Sequence, residues 1–540
     1  MTAYASRLSP ASPDFAENRA QMLALVDRLR AIEARARARS EQRRERFEAR
    51  GQLTPRDRLA RLLDPGMPWL ELYNLAGYLV DDPDPETSVP GASMITGIGF
   101  VGGVRALVFV DDSGISAGAV TTKSVEKALG CLKIAQRQKL PFIHLVESAG
   151  ANLMDYAVEL WAHGGGMFYG LARLSAMGIP VITVLHGPST AGGAYQPGMS
   201  DYVIGVKKNG MAALAGAALV QAATGEKSSD AELGGAEMHA STTGLVEYLA
   251  EDDAHGIEIA RDLMTRLGWN RPVARPAQAD FDEPRHAPDE IAGIVPVSYR
   301  KPYEVRELVA RLADGSDFAD FKPRYGVSTV CLQARIHGRD CAIIGNNGPI
   351  DPDGAAKAAH FIQLSDQSGT PLVFLSNTTG YMVGRDYEHA GMIKHGSKMI
   401  QAVSNVSVPK IALYVGASFG AGNYGMCGYA YEPDFLFAWP NAVTGVMGGE
   451  QAALTMDQVA RVGAGRRGVA IDEDRLAAQR AAITAHFDRQ SDAFYTSGRM
   501  LDMGVIDPRD TRRVLAFALE TADEARRREL RPNSFGVARM

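Results

Sequence analysis

Cysteine is scarce: the 540 residues hold four, Cys131, Cys331, Cys341 and Cys427, with no CxxC pair and no histidine at ligand spacing. That excludes a disulfide framework and a thiolate metal site, and it fits a reducing cytosol in which these thiols act as small buried hydrophobes. No apolar run reaches the length of a membrane span, and no apolar signal core stands at the N-terminus. A cytoplasmic location is therefore expected. Neither sign of charge dominates: 57 basic and 63 acidic residues give a formal net charge of −6, too balanced for generic nucleic-acid binding. Walker lysine and dinucleotide fingerprints are missing as well, so no ATP or NAD site is visible.

Glycine, in contrast, is plentiful at 56 residues, and many of these recur in a pattern. LPFIHLVESAGANL (Leu140 to Leu153) and IPVITVLHGPSTAGGAY (Ile179 to Tyr195) return as TPLVFLSNTTGYMV (Thr370 to Val383) and VPKIALYVGASFGAGNYG (Val408 to Gly425). Pro141 and Pro371, like Gly150 and Gly380, are 230 residues apart, while Ser189 and Ser418, Gly193 and Gly422, and Tyr195 and Tyr424 are 229 apart. Short Val/Ile/Leu runs alternate with helical patterns, as in RALVFVDD (Arg105 to Asp112) before Thr121 to Gln138 and RDCAIIGNN (Arg339 to Asn347) before Asp353 to Gly369. Apolar runs joined by helices indicate a largely parallel sheet in an α/β fold.

The length alone favours two domains, and the repeat divides them as 1–275 and 276–540, with the Pro- and Asp-rich stretch Arg271 to Pro296 as connector. Phe15 to Leu63 reads as an amphipathic helix with Met22, Leu25, Val26, Leu29 and Ile32 at helical spacing. Its basic part, Arg35 to Arg50, is interspersed with acids, unlike a transit peptide. Asp472 to Tyr495 and Pro508 to Leu530 read as surface helices.

Glycines after buried strands place bare backbone N–H groups where an anion can sit. Gly192 and Gly193 in the first copy, and Ala421 and Gly422 in the second, are the candidate donors for a developing oxyanion. Packing could also demand small residues there, but repetition at matched spacing argues for more than packing. A rival reading comes from GASFG (Gly416 to Gly420), which fits the G-x-S-x-G elbow of an α/β-hydrolase with Ser418 as nucleophile. The one histidine downstream, His486, lies in a helical surface pattern, which counts against it. A non-catalytic scaffold would have no reason to keep small residues at 192–193 and 421–422.

At these loops the chain resembles the carboxyltransferase β subunit of biotin-dependent acyl-CoA carboxylases, most closely the methylcrotonyl-CoA and geranyl-CoA branch. The strings that carry the resemblance are GGAYQPGMSD (Gly192 to Asp201), AATGEKSSDAELGGAEMH (Ala222 to His239), NTTGYMVG (Asn377 to Gly384), FGAGNYGMCGYAY (Phe419 to Tyr431) and GVMGGEQAA (Gly445 to Ala453). It implies two tandem crotonase-like domains, the N-terminal one holding acyl-CoA and the C-terminal one biotin. It also implies that biotin is carried by a separate α subunit, with six β subunits forming the core. The absence here of an ATP site and of an Ala-Met-Lys-Met segment agrees with that division. Ala421 and Gly422 would then face the biotin ureido oxygen, with Thr379, Gly380, Tyr381, Phe419 and Gly420 around the ring. Gly192 and Gly193 would face the thioester oxygen, with Ala149, Gly150, Ala151, Gly216 and Ala217 along the acyl-CoA. Neither metal nor nucleotide is expected on this chain.

The acyl group is argued from departures. Gly216-Ala217-Ala218 replaces the Gly-Pro-Pro usual in methylcrotonyl-CoA members, and Gln221 replaces a lysine. The segment Met154 to Gly170 is apolar and Gly-rich. Smaller apolar walls would admit a longer prenyl chain. The expectation is γ-carboxylation of a branched, unsaturated acyl-CoA, geranyl-CoA-like rather than methylcrotonyl-CoA. Lys123 and Lys127, early in a helix, are the candidates for the CoA phosphates.

Overall fold

The computed structural model describes residues 3–151, 157–269, 280–534 and 536–537. The chain divides into two compact units, Ala31–Arg275 with Thr521–Met540 (the N unit) and Met1–Arg30 with Pro276–Glu520 (the C unit). A single cut at 275/276 falls outside the described residues and takes no account of the two terminal stretches, each of which folds with the opposite half. The connector also differs from expectation. Its later part is not linker, because Ile291–Ile294 is a helical turn with all four residues buried.

In the N unit eight strands form one sheet in the order β1 (Leu70–Glu71), β2 (Met94–Val101), β3 (Val104–Asp111), β4 (Phe142–Ser148), β5 (Val181–Thr190), β6 (Tyr202–Val206), β8 (Tyr248–Ala250), with β7 (Met211–Ala213) on the far part of β5. The pairs β1–β2 and β2–β3 are antiparallel, and from β3 onward the sheet is parallel. The C unit repeats this with β9 (Phe318–Asp320), β10 (Thr329–Ile336), β11 (Arg339–Asn346), β12 (Leu372–Thr378), β13 (Lys410–Phe419) and β14 (Phe435–Ala438), and β15 (Val443–Gly445) pairs the far part of β13. β4 and β12 are buried at every residue; their apolar starts pack on both faces, and each strand also carries buried polar residues, His144, Glu147 and Ser148 in β4 and Ser376, Asn377 and Thr378 in β12. Val108, Ile143, Leu145, Ile182, Val184 and Ile204 form the core of the N unit.

The duplication extends further upstream than the repeated loops. Helix Pro55–Leu62 leads into Asp64, whose carboxylate accepts the Gly102 and Gly103 N–H groups at 3.0 and 2.7 Å in the β2–β3 turn. Helix Val305–Val309 leads toward Asp314, whose carboxylate accepts the His337 and Gly338 N–H groups at 2.9 and 2.6 Å in the β10–β11 turn. Both turns have positive φ at both residues, the geometry that matches strand twist.

The N-terminal stretch is helical but not one helix over Phe15 to Leu63: Pro13–Glu41, with Met22, Val26, Leu29 and Ile32 buried, is followed by the separate helices Arg44–Ala49 and Pro55–Leu62. Helix Thr511–Arg527 is not a surface helix, since Val514, Leu515, Ala518 and Leu519 are buried. All four cysteines are buried, and none of them forms a disulfide. No helix among the described residues is long and apolar enough to cross a membrane.

Candidate functional site

In the C unit β13 stays buried to its last residue, and Gly420 turns the chain at φ +55 into helix Gly420–Gly425. The first N–H groups of an α-helix have no acceptor inside it; here they belong to Gly420, Ala421 and Gly422. A Cβ on Gly422 would lie 2.7 Å from Gly380 Cα and 3.1 Å from Thr378 Cγ2. The helix start and the loop after β12 therefore pass backbone to backbone, which brings together Thr379, Gly380, Ala421 and Gly422. Gly380, at φ +126, donates its N–H to Thr378 Oγ1 at 3.3 Å and accepts the Ile350 N–H at 3.0 Å. Thr379 is exposed at the tip, and the Tyr381 hydroxyl donates to the Gly396 carbonyl at 3.4 Å. Phe419 is placed differently from expectation. It is 2% exposed and packs edge-on against Tyr299 at 5.4 Å, so its ring belongs to the core and not to a ligand wall.

The N unit repeats the geometry with other residues. Ser148 stands beside Ser189 after an irregularity in the β4–β5 ladder, as Thr378 stands beside Ser418 in β12–β13. Gly150, at φ +81, donates its N–H to Ser148 Oγ at 3.1 Å and accepts the Val120 N–H at 3.0 Å. A Cβ on Gly150 would lie 3.6 Å from the Thr190 carbonyl, so exposed Ala149 and Ala151 flank the end of β5. There Ala191 takes the left-handed turn at φ +54, an uncommon conformation for a residue with a side chain. The 3-10 turn Ala191–Ala194 follows, with Gly192 exposed. Ser189 Oγ donates to the Gly193 carbonyl at 2.9 Å. A Cβ on Gly192 would lie 3.7 Å from Phe168 Cζ, which sets helix Val158–Ala176 beside the turn. β7 pairs with Pro188–Thr190, so the chain leaves for Gly216 and Ala217 from the same corner. Gly216 caps helix Ala217–Thr224, and the Ala217 N–H is taken by Asp230 Oδ1 at 2.7 Å.

Both glycines inside the long strands have one steric reason. A Cβ on Gly187 or on Gly416 would lie 2.4 Å from Glu147 Cγ or Asn377 Oδ1, the side chains crossing from the neighbouring strand. Glu147 belongs to a buried charged network behind β5. Arg58 binds Glu147 at 2.6 Å and Asp253 at 2.8 Å, and Asp253 binds His186 Nδ1 at 2.8 Å. Burial alone would raise the Asp253 carboxyl; the His186 contact, the Arg58 guanidinium and the Leu53 N–H outweigh it and hold the group at about 2. Burial, aided by Arg58, pushes the His186 imidazole below its ordinary value.

Lys127 is not free for a phosphate. Lys127 is 1% exposed, and its ammonium donates to the Gly91 and Met94 carbonyls at 3.1 and 2.7 Å. Burial pushes it down to about 8. Lys123 is paired with Glu126 one turn on. Lys127→Met is accordingly expected to leave the affinity for a CoA ligand within about twofold in calorimetric titration. It should lower stability by roughly 1–3 kcal/mol in denaturant unfolding, because one buried and one half-buried carbonyl lose their donor. The hydrolase reading is also overturned. Ser418 is fully buried, with Oγ bonded to Ser376 Oγ at 2.9 Å and to Asn423 Nδ2 at 2.8 Å. His486 bonds Gln490 at 2.8 Å on the exposed face of helix Glu473–Ser491. Among the described residues no cluster of His, Cys, Asp and Glu could hold a metal ion.

A family model described as the carboxyl transferase domain matches residues 46–537. A probable biotin-dependent acyl-coenzyme A carboxylase β2 subunit of Mycobacterium tuberculosis is 46% identical over 537 residues, 99% of each chain. A probable mitochondrial methylcrotonoyl-CoA carboxylase β chain of Drosophila melanogaster is 41% identical over 553 residues, covering 99% of this chain and 95% of that one. Among solved structures, the geranyl-CoA carboxylase β subunit of P. aeruginosa superposes with a TM-score of 0.93 at 49% identity, covering 100% of both chains. The α/β architecture is thus that of two tandem crotonase-like domains.

Proposed function

The chain belongs to the carboxyl transferase domain family, as a carboxyltransferase β subunit of the biotin-dependent acyl-CoA carboxylase type, and we propose that it moves a carboxyl group from biotin on a partner α subunit to the γ-carbon of a branched, unsaturated acyl-CoA. The observation that carries this reading is the pair of oxyanion turns at one offset, Gly192-Gly193 and Ala421-Gly422, each beside its own Gly loop. The C-unit turn fits a ureido ring: the close backbone approach of Gly422 and Gly380 sets the first N–H groups of helix Gly420–Gly425 beside a loop of small residues. Bound there, biotin supplies the carboxyl group and a basic ureido nitrogen. Ala421 and Gly422 hold the negative charge on the ureido oxygen. Gly192 and Gly193 hold the charge that moves to the thioester oxygen as the γ-proton leaves. Conjugation with the double bond makes that carbon acidic, so no strong side-chain base is required.

A geranyl-CoA-like acyl group is favoured over methylcrotonyl-CoA. Phe168 touches the N-unit turn, and Gly164 and Gly165 lie one helical turn before it, where a Cβ would meet nothing within 4 Å. Gly166 and Gly170 serve packing instead, with Leu129 and Leu132 in the way of any Cβ. The open face beyond Phe168 leaves room for a prenyl chain. Exposed apolar residues, among them Tyr195 and Leu219 in the N unit and Tyr424, Val446 and Leu454 in the C unit, support a homo-hexameric core with α subunits attached. Buried cysteines that form no disulfide support a cytoplasmic location.

The test is purification with a streptavidin-reactive partner, followed by bicarbonate fixation on a panel of acyl-CoAs. Fixation on geranyl-CoA above methylcrotonyl-CoA is expected, and no fixation on any acyl-CoA would sink the reading. Gly165→Phe is expected to shift the kcat/KM ratio toward the shorter acyl-CoA by roughly tenfold or more, since a methylene or two in an apolar pocket is worth about 1–3 kcal/mol.

A further inference from the structure

The two oxyanion turns are held by opposite chemistry. In the C unit, Asn423 Nδ2 donates to Ser418 Oγ at 2.8 Å and to the Tyr414 hydroxyl at 3.1 Å. Ser418 Oγ bonds Ser376 Oγ at 2.9 Å, and the Tyr414 hydroxyl accepts the Tyr429 N–H at 3.0 Å. Asn423 itself is 8% exposed, and its carbonyl accepts the Gly428 N–H at 2.8 Å. It follows directly on Ala421 and Gly422, so these bonds tie the first turn of helix Gly420–Gly425 to both β12 and β13.

The matching N-unit positions, at the offsets of 230 and 229, are Val146 for Ser376, Leu185 for Tyr414 and Ala194 for Asn423. These three pack with Ala212 and Leu245 as one apolar cluster. Apolar packing is non-directional, whereas hydrogen bonds have preferred angles and lengths. One turn is therefore fixed in orientation, and the other is restrained mainly by shape and the Ser189 bond to the Gly193 carbonyl.

We propose that Asn423 is a positioning residue for the carboxyl-transfer reaction: through Ser418 and Tyr414 it aims the Ala421 and Gly422 N–H groups at the oxyanion formed on the biotin side. This rests on the function proposed above. The acyl side, lacking such a residue, keeps the freedom to seat different acyl groups.

The experiment compares wild type, Asn423→Ala and Ser376→Val/Asn423→Ala as holoenzymes with the biotin-bearing partner. The double variant imports two of the three apolar residues of the N-unit set, leaving Tyr414 in place, and so restores part of the lost volume. Asn423→Ala is expected to lower kcat by about 10–100-fold, the scale of a small misplacement of catalytic groups, with KM for acyl-CoA within twofold. In the double variant the melting temperature should recover while kcat stays low. Recovery of kcat together with stability, an unchanged kcat in Asn423→Ala, or a raised KM at unchanged kcat would overturn the proposal. If Asn423→Ala does not assemble, Ser418→Ala replaces it, with a loss of about tenfold expected on the same grounds and an unchanged kcat overturning the idea. A wild-type holoenzyme that carboxylates no acyl-CoA would instead overturn the underlying function.

Discussion

Gly422→Ala is expected to cut turnover by about two to three orders of magnitude while the protein stays folded, and Gly193→Ala at the matching position is expected to cost far less. The difference lies in what the new methyl group meets. At 422 it would stand 2.7 Å from the Gly380 Cα, a backbone atom that can move only with its whole loop. At 193 it would stand 3.2 Å from Ser189 Oγ, which can give by a few tenths of an ångström. Displacing the C-unit donors from the Thr379–Tyr381 loop weakens the charge stabilisation they supply. Losing one such donor typically costs about 3–4 kcal/mol of transition-state stabilisation. Proline at either position removes the N–H outright and should reach that figure in both units. Steady-state kinetics on the holoenzyme, with circular dichroism to verify folding, decide the matter. Equal activity in Gly422→Ala and Gly193→Ala would show that the close approach at Gly380 has no role in turnover.

The largest stability loss is expected from Arg58→Met. Its guanidinium is completely buried between Glu147 and Asp253, and removing one partner of such a network leaves carboxylates uncompensated. The expected cost is about 3–5 kcal/mol, measured by denaturant unfolding at pH 7. The acid limb gives a second readout. Asp253 titrates at about 2 in the folded chain, below its ordinary value. The stability it lends is complete above the unfolded carboxylate range and is lost as pH falls through about 4 toward 2, roughly 2 kcal/mol in all. His186, held below its ordinary value, stays neutral where the unfolded chain already binds a proton, so it too loses stability on acidification. Arg58→Met removes one of the charges that hold Asp253 down, and its acid transition should move to higher pH. A variant as stable as wild type, with an unmoved acid limb, would show that the network contributes nothing net.

Much of this was legible in the sequence because parallel strands covered on both faces are rich in apolar residues, and because two turns with the same geometry call for the same small residues. Helix Pro55–Leu62 with Asp64 and helix Val305–Val309 with Asp314 were just as readable, as RLARLLD (Arg58 to Asp64) and LVARLAD (Leu308 to Asp314). They escaped because their offset is 250, the stretch between repeat elements differing in length. Lys127 was misread although the pattern held the answer: it shares a helix face with Ser124, Ala128 and Cys131, all buried. Phe419 was placed at the biotin ring by the family resemblance, but strand β13 continues through it into the core. Asn423 carries no signal of its own. Only the three-dimensional meeting of Ser376, Tyr414 and Ser418 reveals what its amide does.

The buried thiols carry one more consequence. Burial lifts Cys131 to about 11 and Cys331 to about 12, and raises Cys341 as well. At neutral pH an alkylating reagent therefore meets almost no thiolate until the surrounding structure opens. Cys131 lies in the N unit, and Cys331, Cys341 and Cys427 lie in the C unit. Labelling rates read peptide by peptide would thus clock the breathing of each half separately, inside an intact native chain and without any engineered probe.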